Sequence, residues 1–87
     1  MAIIKKKIWS GYYDLVASGK KKFELRLNDF EINEGDTLIL EEWDNKSKTY
    51  TGRKIEKKAS CVLKFRLNDF GQQKEIEEKG LVVIQME

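Results

Sequence analysis

The residues best suited to chemistry lie in one stretch, 19–26, which reads Gly-Lys-Lys-Lys-Phe-Glu-Leu-Arg. Lys21 and Arg26 can donate to a phosphate or a base edge, and Glu24 can accept from an exocyclic amine or orient a cation. Arg53, beside Gly52, is an additional phosphate candidate. Trp43 and Tyr50 flank a polar loop, where they can either stack on a base or close the core against a helix. The chain has no histidine, which removes the usual general base, the Ser-His and Cys-His nucleophile pairs and most zinc sites. Its one cysteine, Cys61, cannot make an internal disulfide and reads as a small buried residue between Ser60 and Val62. No metal and no cofactor are expected, and any catalysis must run on Lys, Glu, Asp, Tyr, Thr or Ser.

A chain of 87 residues has the size of one domain, 1–87, with a single modest core. Its composition, 40% hydrophobic and 37% charged, is that of a soluble globular protein with a densely charged surface. No apolar run approaches the ~18 residues that span a bilayer, and the N-terminus lacks the apolar core of a signal peptide. The expectation is a cytoplasmic monomer without membrane contact. The net charge of +2 conceals segregation: residues 1–27 carry +5, 28–45 carry −7, 46–66 carry +7 and 67–87 carry −3. Such blocks either pair across strands or form a basic face that attracts phosphate.

The elements that must position these side chains follow from periodicity. Residues 3–8 read as an edge strand guarded by three lysines. Tyr12, Leu15, Val16 and Gly19 have the spacing of one helical face, with Ser10 as N-cap and Gly19 as the left-handed C-terminal residue. Residues 21–27 read as a strand whose Phe23, Leu25 and Leu27 face one side and Lys22, Glu24 and Arg26 the other. Lys21 therefore has the wrong parity to join Glu24 and Arg26 unless the backbone bulges just after Gly19. Gly35 supplies a turn, residues 37–43 a strongly expected strand, and 44–48 a hairpin loop. Residues 49–65 form a long return strand that bends near Gly52 or Lys57. A polar connection follows, with a short helix carrying Phe70 and Ile76 inward and stopped by Gly80, and residues 81–86 read as a last strand.

The pentapeptide Arg-Leu-Asn-Asp-Phe occurs at 26–30 and again at 66–70. The flanks do not match over a longer period, so a shared local turn is a better reading than a repeat architecture. The element order predicts an α+β, mostly β fold. It is a mixed, largely antiparallel sheet of about five or six strands that closes toward a small β-barrel, with one or two short helices across an opening.

Gly19, Lys21, Glu24 and Arg26 match the Gly-x-Lys-x-x-Glu-x-Arg signature of the ASCH domains, members of the PUA-like superfamily of small β-barrels. Tyr12 and Tyr13 before the motif, Arg26 to Asp29 after it, Gly35 to Trp43 and Tyr50 to Arg53 resemble a branch of small stand-alone ASCH proteins. The resemblance implies a cleft beside the first helix that binds RNA or a modified nucleotide or nucleoside, with Lys21, Glu24, Arg26, Trp43, Tyr50 and Arg53 as its contacts. The alternative it implies is a small amidohydrolase acting on acetylated cytidine-type nucleosides, in which Lys21 is the catalytic lysine. Against it, the threonine that such enzymes carry two residues before the motif arginine is Glu24 here. Ribonuclease activity ranks third.

Overall fold

The computed structural model describes residues 1–86. Its centre is the strand that periodicity marks most strongly, β2, at Thr37–Asp44. β2 is flanked by β1 (Ile3–Trp9) and β3 (Thr49–Lys58), giving a three-stranded open sheet in the order β1-β2-β3. The β2–β3 hairpin is antiparallel and runs from Thr37↔Lys58 to Asp44↔Thr49. β1 pairs parallel to β2, from Ile3↔Thr37 to Trp9↔Trp43. A parallel pair needs a crossover of a dozen or more residues, and the segment between β1 and β2, 10–36, is long enough. It holds helix α1 at Ser10–Ala17.

The core lies where α1 crosses this sheet. Tyr13 and Val16, three apart on the helix, pack with Ile8 of β1 and Leu40 of β2, and Leu38 and Ile55 close the cluster partly. A helix of eight residues is marginal alone, so α1 depends on that packing. Its N-cap position is Trp9, with no side-chain cap, rather than the expected Ser10, which forms the first turn instead. The C-terminal expectation holds: Gly19 takes φ +82° and its N–H donates to Val16 O at 3.1 Å.

The expected five or six strands are corrected to three among the described residues. The return strand stops at Lys58 because its partner begins at Thr37, directly after the turn of Gly35 and Asp36. Beyond that point β3 has no strand to pair with, and residues 59–65 run on without a ladder. Cys61, expected in the core, is exposed. Residues 21–27 and 81–86 also form no ladder. The two segments are joined by a side chain instead: the Lys22 N–H donates to Gln85 Oε1 at 2.5 Å, and Gln85 Nε2 donates to Lys20 O at 3.3 Å. A 3₁₀ turn at Leu67–Phe70 and helix α2 at Gln73–Lys79 complete the chain, with α2 ended at Gly80 as expected. No helix among the described residues is long and apolar enough to cross a membrane.

Two buried carboxylates brace the sheet. Asp36 accepts the Ala2 and Asn33 backbone N–H groups at 2.9 and 2.8 Å, which hold its carboxyl below the usual range. Glu42 lies in the middle of the sheet at 2% exposure, opposite an irregularity in the β2–β3 register between Glu41 and Trp43. Glu41 pairs with Lys54 and Trp43 with Tyr50, so Thr51, Gly52 and Arg53 together oppose Glu42. Gly52 at φ +94° makes the bulge, as the sequence led one to expect. The bulge brings both Thr51 and Arg53 onto the Glu42 carboxylate.

Candidate functional site

The stretch after α1 is irregular, and this lets its charged groups meet. Past the left-handed Gly19, the Lys21 N–H donates to Leu15 O at 2.9 Å, which folds the chain back against the helix end. The Lys21 ammonium then donates to Phe23 O and to Glu24 Oε1, both at 2.7 Å. The other carboxylate oxygen, Oε2, accepts Arg26 Nε at 2.9 Å, and Arg26 Nη2 donates to Lys7 O at 2.5 Å on the outer edge of β1. The parity conflict of a regular strand does not arise, because residues 21–26 are not one. A long lysine side chain curling back over Phe23 replaces the expected bulge.

Lys21, Glu24 and Arg26 thus form one chain of ion pairs, and all three line an open groove of about 510 Å³. The groove is completed by Lys7, Ile8 and Trp9 of β1, Tyr12 of α1, and Phe23 and Leu25. Three cations face one anion, so the lining is net positive and favours an anionic ligand. Glu24 has both oxygens engaged. Arg26 uses Nε and Nη2 and keeps Nη1 without a hydrogen bond among the described residues, so the guanidinium retains donors for an incoming oxygen. Trp9 and Tyr12, each 53% exposed, bring aromatic rings to the same groove.

The other expected site residues stand elsewhere. Trp43 and Tyr50 are cross-strand partners whose rings meet edge to face, centroids 4.9 Å apart at 76°. Trp43 stands beside the groove without lining it: it is the register partner of Trp9, and Lys7 Nζ sits 4.0 Å from its ring centroid. Arg53 clamps Glu42 with Nε and Nη2 at 2.8 and 2.7 Å, reaches Asp14 of α1 at 3.2 Å, and lies 4.6 Å from the Tyr13 ring centroid. The Arg53 guanidinium, with a further bond from Thr51, holds the Glu42 carboxyl down to about 2. The same contact raises the Arg53 pKa. This cluster ties α1 to β2 and β3 and does not line the groove.

Sequence reasoning put Tyr12 on one helical face with Leu15 and Val16; in the structure it is Tyr13 that is buried with Val16, and Tyr12 turns outward to edge the groove. Sequence reasoning also missed Lys7, Trp9 and Phe23. The signal was present as cations interleaved with aromatics across the β1–α1 junction, Lys7-Ile8-Trp9 and then Tyr12. That pattern is hidden by the reading of the lysines as edge guards.

The fold and groove together define a small α+β domain with a cationic, aromatic-edged surface groove beside its first helix. The sequence matches the family described as Domain of unknown function (DUF3850) over residues 3–83, and the chain belongs to that family. It is also similar to an uncharacterised 12.9 kDa protein from the GpA 3′ region of Escherichia phage P2, at 45% identity over 56 residues. That match covers 64% of this chain and 50% of the phage protein, so the chain spans about half the length of this curated relative. No solved structure matches the chain.

Proposed function

We propose that the groove beside α1 holds a nucleotide or nucleoside, free or within RNA, and that the protein acts as a binding module of the ASCH type. The observation that carries this reading is the convergence of the Lys21–Glu24–Arg26 ion-pair chain with Trp9 and Tyr12 on one groove. Cations supply contacts to phosphate, the carboxylate orients them, and an exposed ring offers a face on which a base can stack. The Gly-x-Lys-x-x-Glu-x-Arg signature at 19–26 supports the same reading, because its three charged members are those that meet.

Binding is preferred to acyl hydrolysis on the groove's own composition. Its lining contains no threonine and only one carboxylate, whereas the hydrolase resemblance implies a threonine with the lysine. Trp43, Tyr50 and Arg53 act in this reading through the sheet rather than on the ligand.

The test is an NMR titration of the full chain with nucleosides, nucleoside monophosphates and single-stranded RNA. Amide shifts are expected at 7–12 and 21–26, and Arg26→Gln and Glu24→Gln should each weaken binding about tenfold or more. Absence of shifts at these positions with every probe refutes the proposal. Release of cytidine from acetylated cytidine, abolished by Lys21→Ala, would instead establish the enzyme.

A further inference from the structure

The pentapeptide that occurs twice contributes only Arg26 to the groove described above. Its two copies nevertheless meet in space. A second open groove of about 300 Å³ is lined by Asn28 from the first copy, Arg66 and Asp69 from the second, and the preceding Lys64 and Phe65. Phe65 is 43% exposed, yet its ring is fixed edge to face against Phe70, with centroids 5.5 Å apart at 71°. An aromatic surface is thus held in place outside the core.

Two cations flank that ring in sequence. Lys64 lies 3.8 Å from the exposed Glu31, and Arg66 makes no ion pair among the described residues. Asp69 Oδ2 accepts the Arg66 backbone N–H at 2.8 Å, which fixes the carboxylate in place, and its Oδ1 has no hydrogen bond among the described residues. A carboxylate in the lining disfavours bare phosphate but suits the exocyclic amine of a base. The set therefore matches one nucleotide: a ring for the base, cations for the phosphate, and Asn28 or Asp69 for the base edge. Asn28 follows Arg26 by two residues, so their Cα atoms are within ~7 Å. One sugar–phosphate unit covers that span.

The geometry points to a second nucleotide subsite at the junction of the two Arg-Leu-Asn-Asp-Phe copies. The ligand is accordingly a single strand of at least two nucleotides rather than an isolated nucleoside. This rests on the reading of the first groove as a nucleotide site. Asn28 and Arg26, on one short segment, keep the two subsites in step.

The experiment compares cytidine 5′-monophosphate with the 5′-phosphorylated dinucleotide pCpC, which carries one phosphate for each subsite, binding each to the full chain by calorimetry and following amide shifts. The dinucleotide should bind on the order of tenfold tighter, the increment expected of one additional stacked base. Amides of 64–69 should move only with pCpC. The exposed Phe65→Ala and Arg66→Gln variants should lose the gain and keep the affinity for the mononucleotide. Equal affinity for the two probes, or a gain that survives both substitutions, overturns the second subsite while leaving the first groove's role intact. No shift in either groove with either probe overturns both.

Discussion

Replacing Leu40 and Leu63 by alanine, one at a time, separates a three-stranded open sheet from a closed barrel. Leu40 is 1% exposed at the centre of β2, against Ile8, Tyr13 and Val16. Leu63, which the sequence places on the same buried face as Ile55, is 81% exposed. Truncating a fully buried leucine costs about 2–5 kcal/mol, the transfer of the lost methyl groups plus the cavity they leave. A domain of 87 residues has a total stability of about 4–13 kcal/mol by the usual per-residue range. With so few fully buried side chains this protein belongs toward the lower end, so Leu40→Ala removes a large fraction of it. The midpoint of thermal unfolding should fall by roughly 4–8 °C for each kcal/mol. Leu63→Ala, with little apolar area to lose, should stay within ~0.5 kcal/mol of the parent. Urea unfolding followed by the fluorescence of Trp9 and Trp43 measures both. A Leu63→Ala loss comparable to that of Leu40→Ala would refute the open-sheet account and show that residues 59–65 pack on the core.

The Glu42 carboxyl is held near 2 in the folded protein against an ordinary 4.5, so its contribution is fully present above pH ~4.5 and is lost as pH falls toward 2. Asp36, whose carboxyl is also lowered, adds to the same acid limb. Acid titration monitored by circular dichroism should show it, and Glu42→Gln should flatten the pH dependence while lowering stability at neutral pH. Gly52→Ala meets no atom within 4 Å but must adopt φ +94°, so a loss of ~1–2 kcal/mol from backbone strain is expected, measurable by denaturant titration. Arg53→Lys, which keeps the charge and loses the two-pronged grip on Glu42, should destabilise the protein without changing ligand affinity. A selective loss of ligand affinity at unchanged stability would return Arg53 to the ligand.

What could be read from the sequence was local. The strand at 37–43, the left-handed glycines at 19 and 35, the bend at Gly52 and the stop at Gly80 all depend on neighbours in the chain, and the structure contains each of them; the helix at α1 was legible too, but its inward tyrosine is Tyr13 rather than the Tyr12 that the spacing pointed to. Beyond the β2–β3 hairpin, which its polar loop at 44–48 announced, strand pairing was not legible, because a strand pattern marks a face to be buried but not the partner that buries it. Residues 59–65 and 81–86 have the pattern of strands and no ladder. The site was half legible. The types and spacing of Lys21, Glu24 and Arg26 were visible, but their meeting depends on a backbone that leaves the regular strand form. Arg53 illustrates the converse: an arginine beside a flexible glycine looks available for phosphate, and only the bulge shows that Glu42 and Asp14 already hold it.

The parallel pairing of β1 with β2 has a kinetic consequence. The β2–β3 hairpin closes across a short turn, whereas Ile3 must find Thr37 across more than thirty intervening residues. Contacts of such long sequence separation are slow to form, since the entropy of closing the loop is lost before pairing compensates for it. The hairpin is thus expected early and the docking of β1 and α1 late. The Lys21–Arg26 groove uses Lys7 to Trp9 of β1 and Tyr12 of α1 as walls, so it comes into being with that last event. A ligand there would bind only the fully assembled chain, and by mass action it would slow the release of the N-terminal strand.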